Sequence, residues 1–289
     1  MNYSQPRRTA VLSVIFALCG VVLFMTDVSA QTSDFVSVAE GRIEKSGMTL
    51  AEVCPVETDP VAERVFAEYG AVFVSRETVD VPTSCVFSSE AEVQKFQNSV
   101  ETATVKFGGT VIELQKAAMA DLLDAVAEAK AKGLRITPRG SSSAGKRSYR
   151  DTARIWNSRF FPALAYWQKR GKISVADANV AKRMNTSDQV AQVMEWESKG
   201  FWFNTNFSRT IFSSVAAPGT SQHLSMLALD VSQFGDARVR AILNRYGWFQ
   251  TIANDTPHFT YLGYPESELA KRGLRSEKRG GFTFWVPDL

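Results

Sequence analysis

The chain has 289 residues, 45% hydrophobic and 22% charged, an ordinary balance for a globular protein with a sizeable core. Its net charge of +3 is too small to argue for nucleic acid, and no cluster of Lys and Arg is interleaved with aromatics. Nucleic-acid binding is therefore set aside.

At the N-terminus, Arg7 and Arg8 precede an apolar run from Ala10 to Met25, and Val28-Ser29-Ala30 offers a small-residue cleavage site before Gln31. This predicts a secretory signal peptide over residues 1–30. The run is shorter than the ~20 residues a spanning helix needs, so no stable membrane insertion is expected after cleavage. Cys19 follows Leu18, not a small residue, which argues against a lipoprotein site. The expected address is periplasmic or secreted. Beyond the signal remain Cys54 and Cys85, an even count that predicts a disulfide in an exported chain. Two unpaired buried thiols are the alternative.

Residues 31–110 read as an N-terminal α+β region distinct from residues 111–289. Helical spacing runs from Pro60 to Tyr69 and stops at Gly70, and Ala71 to Val81 alternates like a strand. Ser89 and Glu92 resemble a capping box opening a helix to about Ser99. Thr102 to Phe107 reads as a strand and Gly108-Gly109 as a turn. The clearest helix spans Val111 to Lys132, with Leu114, Ala118, Leu122 and Val126 on one stripe, closed by Gly133. Leu134 to Thr137 looks like a short strand. The Gly/Ser-dense stretch from Pro138 to Tyr149 is a loop, and its spacing does not fit a phosphate loop. Ser148 is placed to cap the next helix.

The aromatic-rich segment 150–213 reads as helices, including Ser187 to Lys199 with Ser187 as N-cap and Gly200 as stop. Further on, Ala237 to Tyr246 is a helix, and Trp248 to Ile252 and Phe259 to Leu262 are strands. Residues 265–280 are charged and read as a solvated surface segment, with a final strand over Phe282 to Val286.

Both histidines of the chain, His223 and His258, lie in two short blocks: Ser221-Gln222-His223 followed by Ala228-Leu229-Asp230, and Asp255-Thr256-Pro257-His258-Phe259-Thr260-Tyr261. Histidine is the commonest metal ligand. His223, Asp230 and His258 would supply two imidazoles and a carboxylate, the three-ligand set of a catalytic zinc with an open fourth position. By composition alone, they could equally be ordinary core or surface side chains.

Ser-x-His with Ala-x-Asp ending seven residues after the His, and then an acid three residues before a final His, resembles the zinc D-Ala-D-Ala carboxypeptidases and dipeptidases (VanY- and VanX-like). The resemblance covers roughly residues 112–264 and is specific only around these two blocks. It implies Zn²⁺ held by His223, Asp230 and His258, and Asp255 as the catalytic acid and base. Ser221 would bind the substrate and Tyr261 would line the site. Arg147, in a loop resembling the end of the family's Ser-Gly-Tyr-Arg-Ser motif, would face the substrate, with Arg139 as a rival.

The implied fold is α+β: a small antiparallel sheet carries the zinc ligands, helices flank it, residues 150–213 form a helical insertion, and residues 31–110 add an N-terminal α+β region. The implied activity is hydrolysis of a peptide bond in peptidoglycan stem peptides, most simply release of terminal D-alanine. An endopeptidase of the same class and a catalytically impaired zinc-containing wall-binding protein are the alternatives. Two departures bear on catalysis. Asp255 stands where the family has Glu, pulling the carboxylate back by about 1.5 Å, one C–C bond. Met226 stands where the family has Gly, which predicts a backbone unable to use a Gly-only conformation.

Overall fold

The computed structural model describes Met1 and residues 34–289. The signal-peptide expectation for residues 1–30, with its cleavage site and Cys19, lies outside these. In order, the chain forms α1 (Asp34–Glu44), α2 (Leu50–Val53), α3 (Pro60–Tyr69), α4 (Glu90–Ser99), the strands β1 (Thr102–Phe107) and β2 (Thr110–Gln115), and α5 (Lys116–Ala131). Then come α6 (Tyr149–Lys169), α7 (Val175–Ala181), α8 (Thr186–Ser198), β3 (Ala228–Asp230), α9 (Ala237–Arg245), β4 (Trp248–Phe249), β5 (His258–Tyr261), β6 (Leu274–Arg279) and β7 (Phe282–Pro287). The fold is α+β, with three small antiparallel sheets: β1-β2, β3-β5-β4 and β6-β7. Among the described residues no helix is long and apolar enough to cross a membrane.

Residues 34–289 belong to one compact unit. The larger of two apolar clusters joins Phe35, Phe66 and Phe73 of the segment before residue 110 to Trp156, Phe203, Trp248 and Phe259 after it. Cys54 and Cys85 form the expected disulfide across 31 residues, which contributes roughly 3–4 kcal/mol in the chain-entropy model. The bridged segment reaches toward the histidine block, where Phe87 donates its N–H to the Gly219 carbonyl at 2.9 Å. Gly219 has φ +80°, and a Cβ there would sit 1.9 Å from the Phe87 carbonyl oxygen, so no other residue fits.

Several elements differ from expectation. Residues 70–74 form a 3₁₀ turn, not a strand, and all five are buried. An apolar run buried on every side carries no period that separates strand from turn. The irregular backbone that follows is bonded by side chains: Arg42 donates through Nε to the Ser75 carbonyl at 2.9 Å, and through Nη2 to the Val79 carbonyl. The helix expected from Val111 starts only at Lys116, because residues 110–115 fold back on β1 through Gly108-Gly109 at φ +58° and +86°. Ile112 and Leu114 are buried at strand spacing, and Ala118, Met119, Leu122, Ala125 and Ala129 make the true inner face of α5.

The strand expected at 134–137 reduces to one bridge between Pro138 and Val231. Proline has no N–H to extend a ladder, and the bonds come from its neighbours, Arg139 N to Asp230 O and Ser232 N to Thr137 O. Ser89 caps α4, but Glu92 bonds Ser88 instead of closing the box. α8 begins earlier than expected, capped by Asn185 and not Ser187. The charged 265–280 segment contains β6, whose side chains are mostly exposed while its backbone pairs with β7.

Candidate metal centre

The three-stranded sheet brings two of the candidate ligands together by register. Asp230 on β3 lies directly opposite His258 on β5, so their side chains share one face. His223 arrives from a 3₁₀ turn over Gln222–Ser225. That turn is tied down by Gln97 and Gln115, which donate to the carbonyls of Leu224 and Ser225 at 3.0 and 2.9 Å. Met226 closes the turn at φ 57°, in the left-handed conformation that its side chain was expected to forbid. The conformation costs roughly 1–2 kcal/mol for a residue with a Cβ. Complete burial of the Met226 side chain offsets that cost, and the side chain does not line the cleft.

His223 Nε2, His258 Nδ1 and Asp230 Oδ1 form a triangle with edges of 3.1, 3.4 and 3.5 Å. Donors about 2.0–2.1 Å from a tetrahedral ion stand about 3.3 Å apart, so the triangle fits such an ion. The protons of both rings are already placed. His223 Nδ1 lies 2.8 Å from the Gly145 carbonyl, which can only accept. His258 Nε2 lies 2.8 Å from Gln222 Oε1. The Gln222 amide is oriented by its own Nε2, which donates to the Tyr69 carbonyl at 2.8 Å, so Oε1 accepts the His258 proton. In the neutral rings, Nε2 of His223 and Nδ1 of His258 therefore face each other as lone pairs beside a carboxylate oxygen. A cation satisfies all three at once, and these residues can hold a metal ion.

The electrostatics agree. Burial, then the charge of Arg147, lowers the pKa of His223 to about 4, so its ring is neutral near pH 7. Burial by itself would raise Asp230, yet its carboxyl is held well below the usual carboxylate range and is ionised beside the two rings. Its second oxygen, Oδ2, receives Arg147 Nη2 at 2.7 Å.

The triad opens on a cleft of about 320 Å³. Arg147, Ser221 and Asp255 line it with the two histidines. Arg147 is held by Asp230 and by the Ser143 carbonyl at 3.0 Å. Arg139 does not line the cleft; it is exposed, with its guanidinium over the Phe234 ring at 5.2 Å. Tyr261 is also outside. Strand side chains alternate, so three residues beyond His258 means the opposite face. Tyr261 is buried there against Trp248 and donates to Asp121. Two features of the site were not read from the sequence. Gln222, buried behind the cleft, fills the variable position of Ser-x-His and bonds the His258 ring, and Arg159, on α6, lines the cleft.

Gln222→Leu should bind metal about 10- to 100-fold more weakly, as for other partners that orient a ligand histidine. Competition with a chromogenic chelator measures this. Unchanged affinity would mean that the amide does not hold the His258 ring.

No protein-family model matches the chain, and no curated protein matches it. Among solved structures, the vancomycin-resistance D,D-pentapeptidase VanY from a VanB-type cassette, a mutant in complex with Zn(II), is 19% identical, covering 57% of this chain and 79% of that one at TM-score 0.32. VanYB in complex with D-alanine-D-alanine is 20% identical, covering 57% and 78% at TM-score 0.33. The LdcB LD-carboxypeptidase is 17% identical, covering 60% and 69% at TM-score 0.32.

Proposed function

We propose that the chain is an exported zinc-dependent peptidase that hydrolyses a peptide bond in peptidoglycan stem peptides, specifically as a D-alanyl-D-alanine carboxypeptidase. One observation carries the metal part of this reading: one ring nitrogen from each histidine and a carboxylate oxygen converge at 3.1–3.5 Å beside an open cleft. The motif resemblance of the His223 and His258 blocks supplies the substrate class. When bound by His223, Asp230 and His258, Zn²⁺ supplies Lewis acidity toward a carbonyl and acidifies water toward neutral pH.

The remaining work falls to the chain's own residues. Asp255 takes a proton from water at the cleft and delivers it to the departing amine. Arg147 fixes Asp230 so that Oδ1 stays turned to the histidines, and is in this role a positioning residue. The Ser221 hydroxyl, at the cleft wall with no hydrogen-bond partner among the described residues, is placed to bind the substrate backbone. The second reading, an impaired zinc-containing wall-binding protein, rests on the shorter carboxylate at Asp255.

Incubating the zinc-loaded protein with muropeptides and reading products by mass spectrometry separates these. Loss of one terminal alanine is the expected result. Separation of cross-linked dimers would instead mark an endopeptidase, and intact muropeptides with stoichiometric zinc would mark the wall binder.

A further inference from the structure

Ile155 and Arg159 stand four residues apart on α6 and line the same cleft as the triad. The two arginines of the cleft are matched very differently. Arg147 has its charge answered by Asp230 at 2.7 Å. Arg159 has no carboxylate within ion-pairing distance among the described residues, and its one side-chain hydrogen bond runs from Nη1 to the Ser158 hydroxyl at 3.0 Å. Its Nε is buried without an acceptor. A buried donor left unmade carries the full desolvation cost of the group. The neighbouring stretch of the lining, Phe212 to Ala216, offers no acidic side chain.

A planar guanidinium with Nε and Nη2 both unbonded has the edge that pairs side-on with a carboxylate. Arg159 lines the cleft, so a carboxylate entering it is the group that would answer these donors.

We propose that Arg159 binds a carboxylate of the peptide substrate and so sets the preference for an acidic ligand. This rests on the peptidase reading for the nature of the ligand, and the carboxylate has two possible sources: the free C-terminus of the departing residue, or an acidic side chain on the retained stem. Three stem-type peptides distinguish them. One has a free C-terminus, one has that terminus amidated, and one has the acidic side chain converted to its amide.

Calorimetry on metal-free wild type and Arg159→Gln keeps binding apart from turnover, and zinc titration checks that the triad is intact in the variant. In wild type, amidation at the relevant carboxylate should weaken binding about 10- to 100-fold, the scale of a charge-assisted pair. In Arg159→Gln that discrimination should disappear, with zinc affinity unchanged, and Arg159→Lys should restore part of it. Equal affinity of wild type for all three peptides, discrimination that persists in Arg159→Gln, or no binding to wild type overturns the proposal. Discrimination that vanishes in Arg159→Gln with no turnover by zinc-loaded wild type keeps the anchor and removes the peptidase reading. Turnover in which Arg159→Gln penalises acid and amides alike does the reverse.

Discussion

His258→Ala is expected to purify without stoichiometric zinc and to show only background hydrolysis of muropeptides, while keeping its fold. The substitution leaves two protein donors where the triangle has three, with Asp230 Oδ2 still held by Arg147 at 2.7 Å. Structurally it removes one hydrogen bond, from His258 Nε2 to Gln222 Oε1, and that oxygen keeps the Thr260 hydroxyl as a donor. The loss of stability in the metal-free protein should therefore be modest, about 1–3 kcal/mol with the buried volume included. Tyr261→Phe is the matched control, because it alters the same strand on its other face. It should keep zinc and turnover, and lose about 1 kcal/mol with the hydrogen bond to Asp121. Metal analysis and thermal melts of the two variants decide the matter. Stoichiometric zinc in His258→Ala would remove the proposed centre altogether.

The contrast between His258 and Tyr261 also shows where reading the chain works. The ligands were legible because the chain holds only two histidines, each in a block with an aspartate at a telling spacing. The resemblance marked the block around His258 without its pleat, so a residue three further on was placed beside the ligand when strand alternation sends it away. Helix α5 was misplaced at its start because Leu114, at the end of a hairpin strand, happens to fall four residues before Ala118. Met226 was read as an obstacle, although the left-handed conformation costs little beside full burial of its side chain. Gln222 and Arg159 left no signal at all. Their roles arise from neighbours such as Tyr69, Thr260 and the cleft wall, distant in the chain and brought close by the tertiary fold.

Asp255→Ala should keep its zinc and lose turnover, with kcat down by roughly 10²–10⁴-fold, the range for removing a general acid or base. The residue lines the cleft at a turn just after Asn254, whose φ is +71°, and its carbonyl accepts the His258 N–H at 3.2 Å. The backbone thus couples the carboxylate's position to a ligand. Surrounding protein displaces water from that carboxyl and pushes its pKa above the ordinary 3.8. A base must be deprotonated to act, so kcat/KM should show an acid limb that rises with pH as Asp255 ionises and that vanishes in the alanine variant. Asp255→Glu restores the missing methylene. If the shorter carboxylate limits the rate, the Glu variant should turn over faster, by up to about 100-fold, as an ångström-scale correction allows. If the turn already places Asp255 correctly, the Glu variant should be equal or slower. Full activity in Asp255→Ala, with an unchanged acid limb, would show that another group carries the proton.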